Sequence, residues 1–271
     1  MKDLIVHNKG KGIFDRNEWV KESKNLFVSA KLLRTKGREL KESLCSENVR
    51  SKSFVENFDV INSTNKSSRL LLGYAFELLL KSAILIRNYG AKKTTIDKIF
   101  RSYGHKMDQI LSDLDIDLDQ NEINILKLSS NDVVDFARYP VSAYEDAKYI
   151  DEYNKRIKSL DDDALFGSME LLYEKLKSII IKKDRDSNNC AHFNTLKLDG
   201  VTLFMRFGGG VSARAIANYH DDFPDQDKSK LKLFELIKKQ TKGNYVFFTI
   251  FWNEYDFFED TGDKLKHLKD S

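Results

Sequence analysis

The stretch Leu70–Arg87, LLLGYAFELLLKSAILIR, most constrains what this chain can fold into. It is long enough for about five helical turns, and Glu77 and Lys81 are its only charged residues before Arg87. A helix this apolar on every side must be surrounded by other helices or by lipid. Two charges four residues apart share one helix face, and the acid precedes the base, the order that both the pair and the macrodipole favour. Charges embedded in such a helix need polar partners from elsewhere in the chain. The charged interruption argues for the centre of a helical bundle rather than a membrane span.

The flanking segments supply the rest of a bundle. Trp19, Leu26, Phe27, Ala30, Leu33 and Leu40 recur at helical spacing, so a first amphipathic helix is expected from Trp19 to about Leu44. Arg50 to Ser68 is polar and reads as a connection, with Ser67 or Ser68 capping the apolar helix. A third helix covers Thr95 to Arg101, breaks at Gly104 and resumes through Met107, Ile110, Leu111 and Leu114. Ile123 to Phe136 forms a fourth, stopped by Pro140, and Gly167 to Ile181 a fifth.

After Lys183 the period changes from 3.6 to two. His192–Leu198 and Val201–Phe207 flank Asp199-Gly200, the signal of a type I′ hairpin. The aromatic run Asn244 to Phe258 reads as a further buried strand, and Lys228 to Lys239 as a short amphipathic helix before it. The expected class is α+β: an N-terminal arm (1–18), an antiparallel helical bundle (19–183), a small α+β domain with a β-hairpin (190–260) and a charged tail (261–271), expected to fray from Gly262 onward.

Charged residues make up 32% of the chain in both signs and the formal net charge is +3, too balanced for a dedicated polyanion binder, so any basic surface must be local. The two cysteines, Cys45 and Cys190, have no CxxC spacing, which excludes a disulfide framework and a thiolate zinc cluster. Cys190, His192 and His220 lack a fourth zinc ligand of evident spacing. Asp113, Asp115, Asp117 and Asp119 lack the glycine and closing glutamate of a calcium loop and read as a solvated acidic loop with apolar anchors. No metal or cofactor is expected. The first residues have no apolar signal run, so a cytoplasmic chain without membrane attachment is expected.

Three fragments carry a family resemblance: Ala75-Phe76-Glu77-Leu78-Leu79-Leu80-Lys81, Gly104-His105-Lys106-Met107-Asp108-Gln109-Ile110 and Ala137-Arg138-Tyr139-Pro140. In this order on a helical chain they resemble the HEPN superfamily of helical bundles, over about residues 15–183. The resemblance implies a bundle that often dimerises and acts in bacterial stress, toxin–antitoxin or antiphage systems. Many members cut RNA without a metal, using an Arg and a His with four to six residues between them. Arg185-Asp186 through His192 and Arg214 through His220 match that spacing, but both follow the fifth helix, whereas the nuclease motif belongs on the bundle's last helix.

From the residues themselves, Glu77, His105 and Arg138 could converge as a carboxylate orienting an imidazole beside a guanidinium. Such a trio suits a phosphate or acid–base work on a ribose hydroxyl; joined by Lys81 it equally suits a buried network locking the helices. Arg185 and His192 form an alternative catalytic pair. Lys81, Tyr139, Arg214 beyond the Gly208-Gly209-Gly210 turn, and Lys230 on the C-terminal basic helix are ligand-binding candidates. The leading expectation is a binding or effector protein recognising RNA, a nucleotide or a protein partner. A metal-independent endoribonuclease and a non-catalytic homodimeric adaptor are the alternatives.

Overall fold

A computed structural model describes residues 4–7, 10–44, 52–138, 146–241 and 243–270, the side chains of 136–138, 146–147 and 247 excepted. Two long helices, α1 (Arg16–Leu44) and α2 (Lys52–Arg87), lie side by side as the spine of the helical part. Around α2 pack α3 (Lys93–Tyr103), α4 (Met107–Ser112), α5 (Gln120–Arg138), α6 (Asp146–Asp161) and α7 (Asp163–Lys182). The apolar half of α2 is the centre: Leu72, Ala75, Phe76, Leu79, Leu80 and Ala83 are fully enclosed. Phe27, Met107, Leu126, Phe166, Tyr173 and Leu176 from the surrounding helices complete that core.

The polar stretch before Ser68 is helical rather than a connection. Ile61, Asn65, Ser68, Arg69 and Leu72 are all buried, continuing the 3.6-residue stripe of α2 toward its N-terminus. Space for polar side chains there comes from α1, where a Cβ on Gly37 would lie 2.9 Å from both Asn65 Oδ1 and Thr64 Oγ1. Ser68 is not a cap; its hydroxyl donates to the Asn65 carbonyl at 2.8 Å. Helix α6, absent from the sequence expectations, buries little beyond Leu160 and exposes Tyr149, Ile150 and Tyr153. Its role is polar: its last carbonyls, of Ser159 and Leu160, receive the buried guanidiniums of Arg69 and Arg34.

The C-terminal part is one five-stranded sheet in the order β1 (His192–Leu198), β2 (Val201–Phe207), β3 (Arg214–Tyr219), β4 (Asp256–Asp260), β5 (Leu265–His267). All neighbours are antiparallel except β3 and β4, whose parallel pairing requires the crossover made by α8 (Lys230–Gln240) and α9 (Tyr245–Thr249). Strand alternation sorts the two faces. Leu203, Met205, Ala215, Ala217 and Phe257 pack against Leu233, Leu236 and Ile237 of α8. The opposite face carries Phe193, Phe204, Arg206, Arg214, Ile216, Asn218 and Phe258 toward the helices.

That second face is locked to the end of α2. Gly90, at φ 92°, lies so close to Phe204 that a Cβ would sit 2.2 Å from the Phe204 Cβ. Tyr89 packs edge-on against Phe193 and Phe204, with ring centroids 5.0 and 5.6 Å away. The N-terminal arm pins the same turn, because Val6 N–H donates to the Ala91 carbonyl and Gly90 N–H to that of Val6, each at 2.8 Å.

Three further expectations are corrected. The aromatic run 244–258 is not one strand: it forms α9, a 3-10 turn at Trp252–Glu254 and then β4. Asp199-Gly200 does close the hairpin, pairing Leu198 with Val201, but only Gly200 has positive φ (72°), and a type I′ turn requires it at both central residues. The charged tail is ordered as the edge strand β5, with Leu268 buried beyond it. In the acidic loop Leu114, Ile116 and Leu118 are buried and Asp115, Asp117 and Asp119 exposed, as expected. Among the described residues no helix is long and apolar enough to cross a membrane.

Candidate functional site

Glu77 and Lys81 sit one turn apart on α2 and meet as their spacing requires, Lys81 Nζ lying 2.5 Å from Glu77 Oε1. The second carboxylate oxygen faces His105 Nδ1 at 2.8 Å. Gly104, at φ 54°, ends α3 in a conformation that side chains resist, and so turns His105 back toward α2. Glu77 and Lys81 are 8% and 12% exposed and His105 is 32% exposed, so a buried ion pair presents one imidazole edge at the surface. Phe100 covers Lys81 with its ring 5.6 Å from Nζ, and Tyr74 stands edge-on to His105 at 6.3 Å. Arg101 and Lys106 on either side of His105 are exposed and in no ion pair among the described residues.

Arg138 is the last residue of α5, and its side chain, like the whole of Tyr139, lies outside the described residues. The other Arg–His pairs are not brought together. Arg185 donates to Asn17 Oδ1 and lines a 270 Å³ cavity on the Phe193 side of β1, with His7, Arg16, Tyr89 and Asp184. His192, the neighbour of Phe193 in the strand, projects from the other face and stacks on Phe207 at 4.5 Å. Arg214 begins β3 and His220 follows its end, beside the hairpin turn, so the strand's length, about 20 Å, separates them. Lys230 is engaged structurally, with Nζ 2.7 Å from Asp270 Oδ1 and over the Phe257 ring.

Arg214 occupies a setting that the sequence did not disclose. It faces a 450 Å³ cleft between sheet and helices, lined by Ile84, Arg87 and Asn88 at the end of α2, Ile99 and Tyr103 of α3, Asp113, Asp256, Phe258, Lys264 and His267. Its guanidinium rests on the Phe258 ring at 4.5 Å and donates to Asn88 Oδ1 at 2.5 Å. Arg87 donates to the Asp113 carbonyl, and the Asp113 carboxylate accepts from Tyr103. Burial, and then the neighbouring Arg87 charge, lowers the Arg214 pKa to about 10. Burial followed by the Asp113 hydrogen bond raises that of Tyr103. Arg87 could be read from sequence only as the basic end of a helix, since its partners come from segments far away in the chain.

A separate polar cluster joins the two parts of the chain. Arg16 donates to the carbonyls of Ile180 and Lys183 at the end of α7, where cations suit the helix dipole. Asp184, held at φ 65°, accepts from the fully buried Arg206. Burial raises the Asp184 pKa, and Arg206 offsets part of that rise. Asp184 pairs with Arg206 and the α7 carbonyls hold Arg16, so the cluster reads as a structural lock. Comparisons with family models, curated proteins and solved structures return no match to this chain.

Proposed function

We propose that this chain is a HEPN-like binding or effector protein of a bacterial or phage stress, toxin–antitoxin or antiphage system, and that it recognises RNA. The observation that carries the proposal is the surface around His105. Glu77 holds Nδ1, leaving Nε2 at the open edge, and two exposed cations without ion-pair partners among the described residues, Arg101 and Lys106, lie four residues before and one residue after His105 in the chain. Phosphate-tracking surfaces are built this way, from cations that position the backbone and a polar group that contacts one sugar or phosphate. Binding without cleavage is favoured because Arg185 with His192, and Arg214 with His220, cannot act on one phosphate from opposite faces or opposite ends of a strand.

A second reading has an observation of its own. A carboxylate on Nδ1 fixes the tautomer and orientation of an imidazole, the support a general base requires, so the Glu77–His105 bond also suits a metal-independent endoribonuclease. One experiment separates the readings: labelled total RNA and tRNA in EDTA with the full chain, at two salt concentrations, against His105→Ala and the double variant Arg101→Ala/Lys106→Ala. Salt-dependent retention without cleavage, weakened in the double variant, supports the binding protein. Cleavage abolished by His105→Ala selects the enzyme. Neither binding nor cleavage overturns both, and leaves the homodimeric adaptor that the family resemblance also implies.

A further inference from the structure

The cleft between the end of α2 and the sheet holds two guanidiniums, Arg87 and Arg214, that no carboxylate contacts directly among the described residues, although Asp256 and Asp113 attract Arg214 from a distance. Arg87 and Arg214 each donate one hydrogen bond within the protein, and each to a neutral acceptor: the Asp113 backbone carbonyl for Arg87, the Asn88 side-chain oxygen for Arg214. Neither is in an ion pair with a carboxylate among the described residues. The Nε of each is buried without a hydrogen-bond partner. A buried Nε–H left unused costs free energy, and for Arg214 the burial extends to the whole guanidinium, as its lowered pKa reflects.

The remaining groups narrow what would relieve that cost. The Arg214 plane is fixed by Phe258 beneath it and Asn88 beside it, so its unused donors form a rigid fork rather than a mobile charge. Lys264 and His267 stand at the rim. The acids present are Asp113, already accepting from Tyr103, and Asp256, exposed at the start of β4. Ile84, Ile99, Phe258 and Leu265 give the cleft an apolar wall. Two forked donors suit a tetrahedral dianion, which takes paired N–H bonds from each guanidinium, and the apolar wall suits an organic substituent on it.

We propose that the Arg87–Arg214 cleft binds the phosphate of a phosphate monoester. The site lies about 16 Å along α2 from Glu77, measured to Asn88 at 1.5 Å per residue. It stands on its own geometry and does not depend on the RNA reading of the His105 surface. A monoester phosphate has two sources, a small phosphorylated metabolite or the 5′ end of an RNA strand, and both present the same dianion.

The test is calorimetric titration of the full chain with inorganic phosphate, a nucleoside 5′-monophosphate, and short RNAs of one sequence bearing either a 5′-phosphate or a 5′-hydroxyl. The variants are Arg214→Gln, Arg214→Lys and Arg87→Gln, each checked for folding by circular dichroism. Saturable binding of a phosphate-bearing ligand, weakened about 10-fold or more by either glutamine variant and less by Arg214→Lys, is the expected result. If the nucleotide binds and 5′-phosphorylated RNA does not, the source is a metabolite; a 5′-phosphorylated RNA that outbinds its 5′-hydroxyl form assigns the RNA end. Equal binding of the two RNAs with none of phosphate or nucleotide overturns the monoester class. No binding of any ligand by folded wild type, or binding unchanged in both glutamine variants, overturns the site. Should a glutamine variant fail to fold, Arg214→Lys decides through its affinity relative to wild type.

Discussion

Glu77→Gln is the most searching perturbation of this fold, because both carboxylate oxygens are committed: Oε1 to Lys81 at 2.5 Å and Oε2 to His105 at 2.8 Å. The substitution keeps the shape and removes the charge. A glutamine has one acceptor oxygen for two nitrogen partners, and its NH2 must then face one of them. The Lys81 ammonium, 12% exposed, is left without its counter-charge. Removing one member of a buried pair costs about 3–5 kcal/mol, and the residual exposure of Lys81 with the Phe100 ring over it places this case near the lower end, about 3 kcal/mol. At about 2–4 °C per kcal/mol for chains of roughly this size, the melting temperature should fall by about 6–12 °C. Replacing both partners, Glu77→Leu with Lys81→Leu, should recover most of the loss, since an apolar pair leaves no uncompensated charge. Urea denaturation followed by circular dichroism measures all three proteins, with an unchanged slope as the sign that only stability has moved. A Glu77→Gln protein within about 0.5 kcal/mol of wild type would refute the reasoning, because the pair would then be solvated and His105 held by something else.

Three other outcomes are expected. Burial raises the Asp132 carboxyl to about 6 against the opposing pull of Arg69. The native chain therefore binds more protons than the unfolded one between about pH 4 and 6, so this contribution, about 3 kcal/mol at most, is complete below about pH 4 and lost as pH rises through about 6. The stability difference between wild type and Asp132→Asn should accordingly grow in favour of wild type as pH falls from 7 to 4, and a flat difference in pH-resolved urea melts would sink this assignment. Gly90→Ala combines a positive φ with a Cβ 2.2 Å from that of Phe204, so it should destabilise by about 2–5 kcal/mol, partly restored by Phe204→Ala in the double variant. Phe257→Ala opens a hole between sheet and α8 and should cost about 3–5 kcal/mol in the same assay; a loss under about 1 kcal/mol would mean that this core collapses to fill it.

Much of the architecture is legible in the chain because it rests on local periods. The buried centre of α2, the break at Gly104 and the change from helical to strand alternation after Lys183 each follow from side-chain spacing within a dozen residues. The same local reading places Glu77 and Lys81 on one face, and the turn at Gly104 then sets His105 against them. It fails where tertiary contacts outweigh composition. Thr64 and Asn65 look like a loop, yet α1 offers them a close-packed groove at Gly37. The aromatics 244–258 look like a strand, yet the parallel β3–β4 pairing needs a crossover there. Helix α6 has Tyr149, Ile150, Tyr153, Ile157 and Leu160 at helical spacing but buries only Leu160, and its hold on the bundle is made by carbonyls that receive Arg34 and Arg69.

The sequence by itself therefore determined the apolar rod, its ion pair and the two-part α+β plan, since a helix face and a strand face are properties of neighbouring residues. Only the tertiary structure decided which distant cations share a cleft. Asn88 and Arg214 are 126 positions apart, and their meeting depends on a sheet docked through Phe204 against Gly90 and on a strand order no local period encodes. Long-range burial leaves the Arg214 guanidinium without a contacting carboxylate, because desolvation is a property of what surrounds a side chain rather than of the residues beside it in the chain.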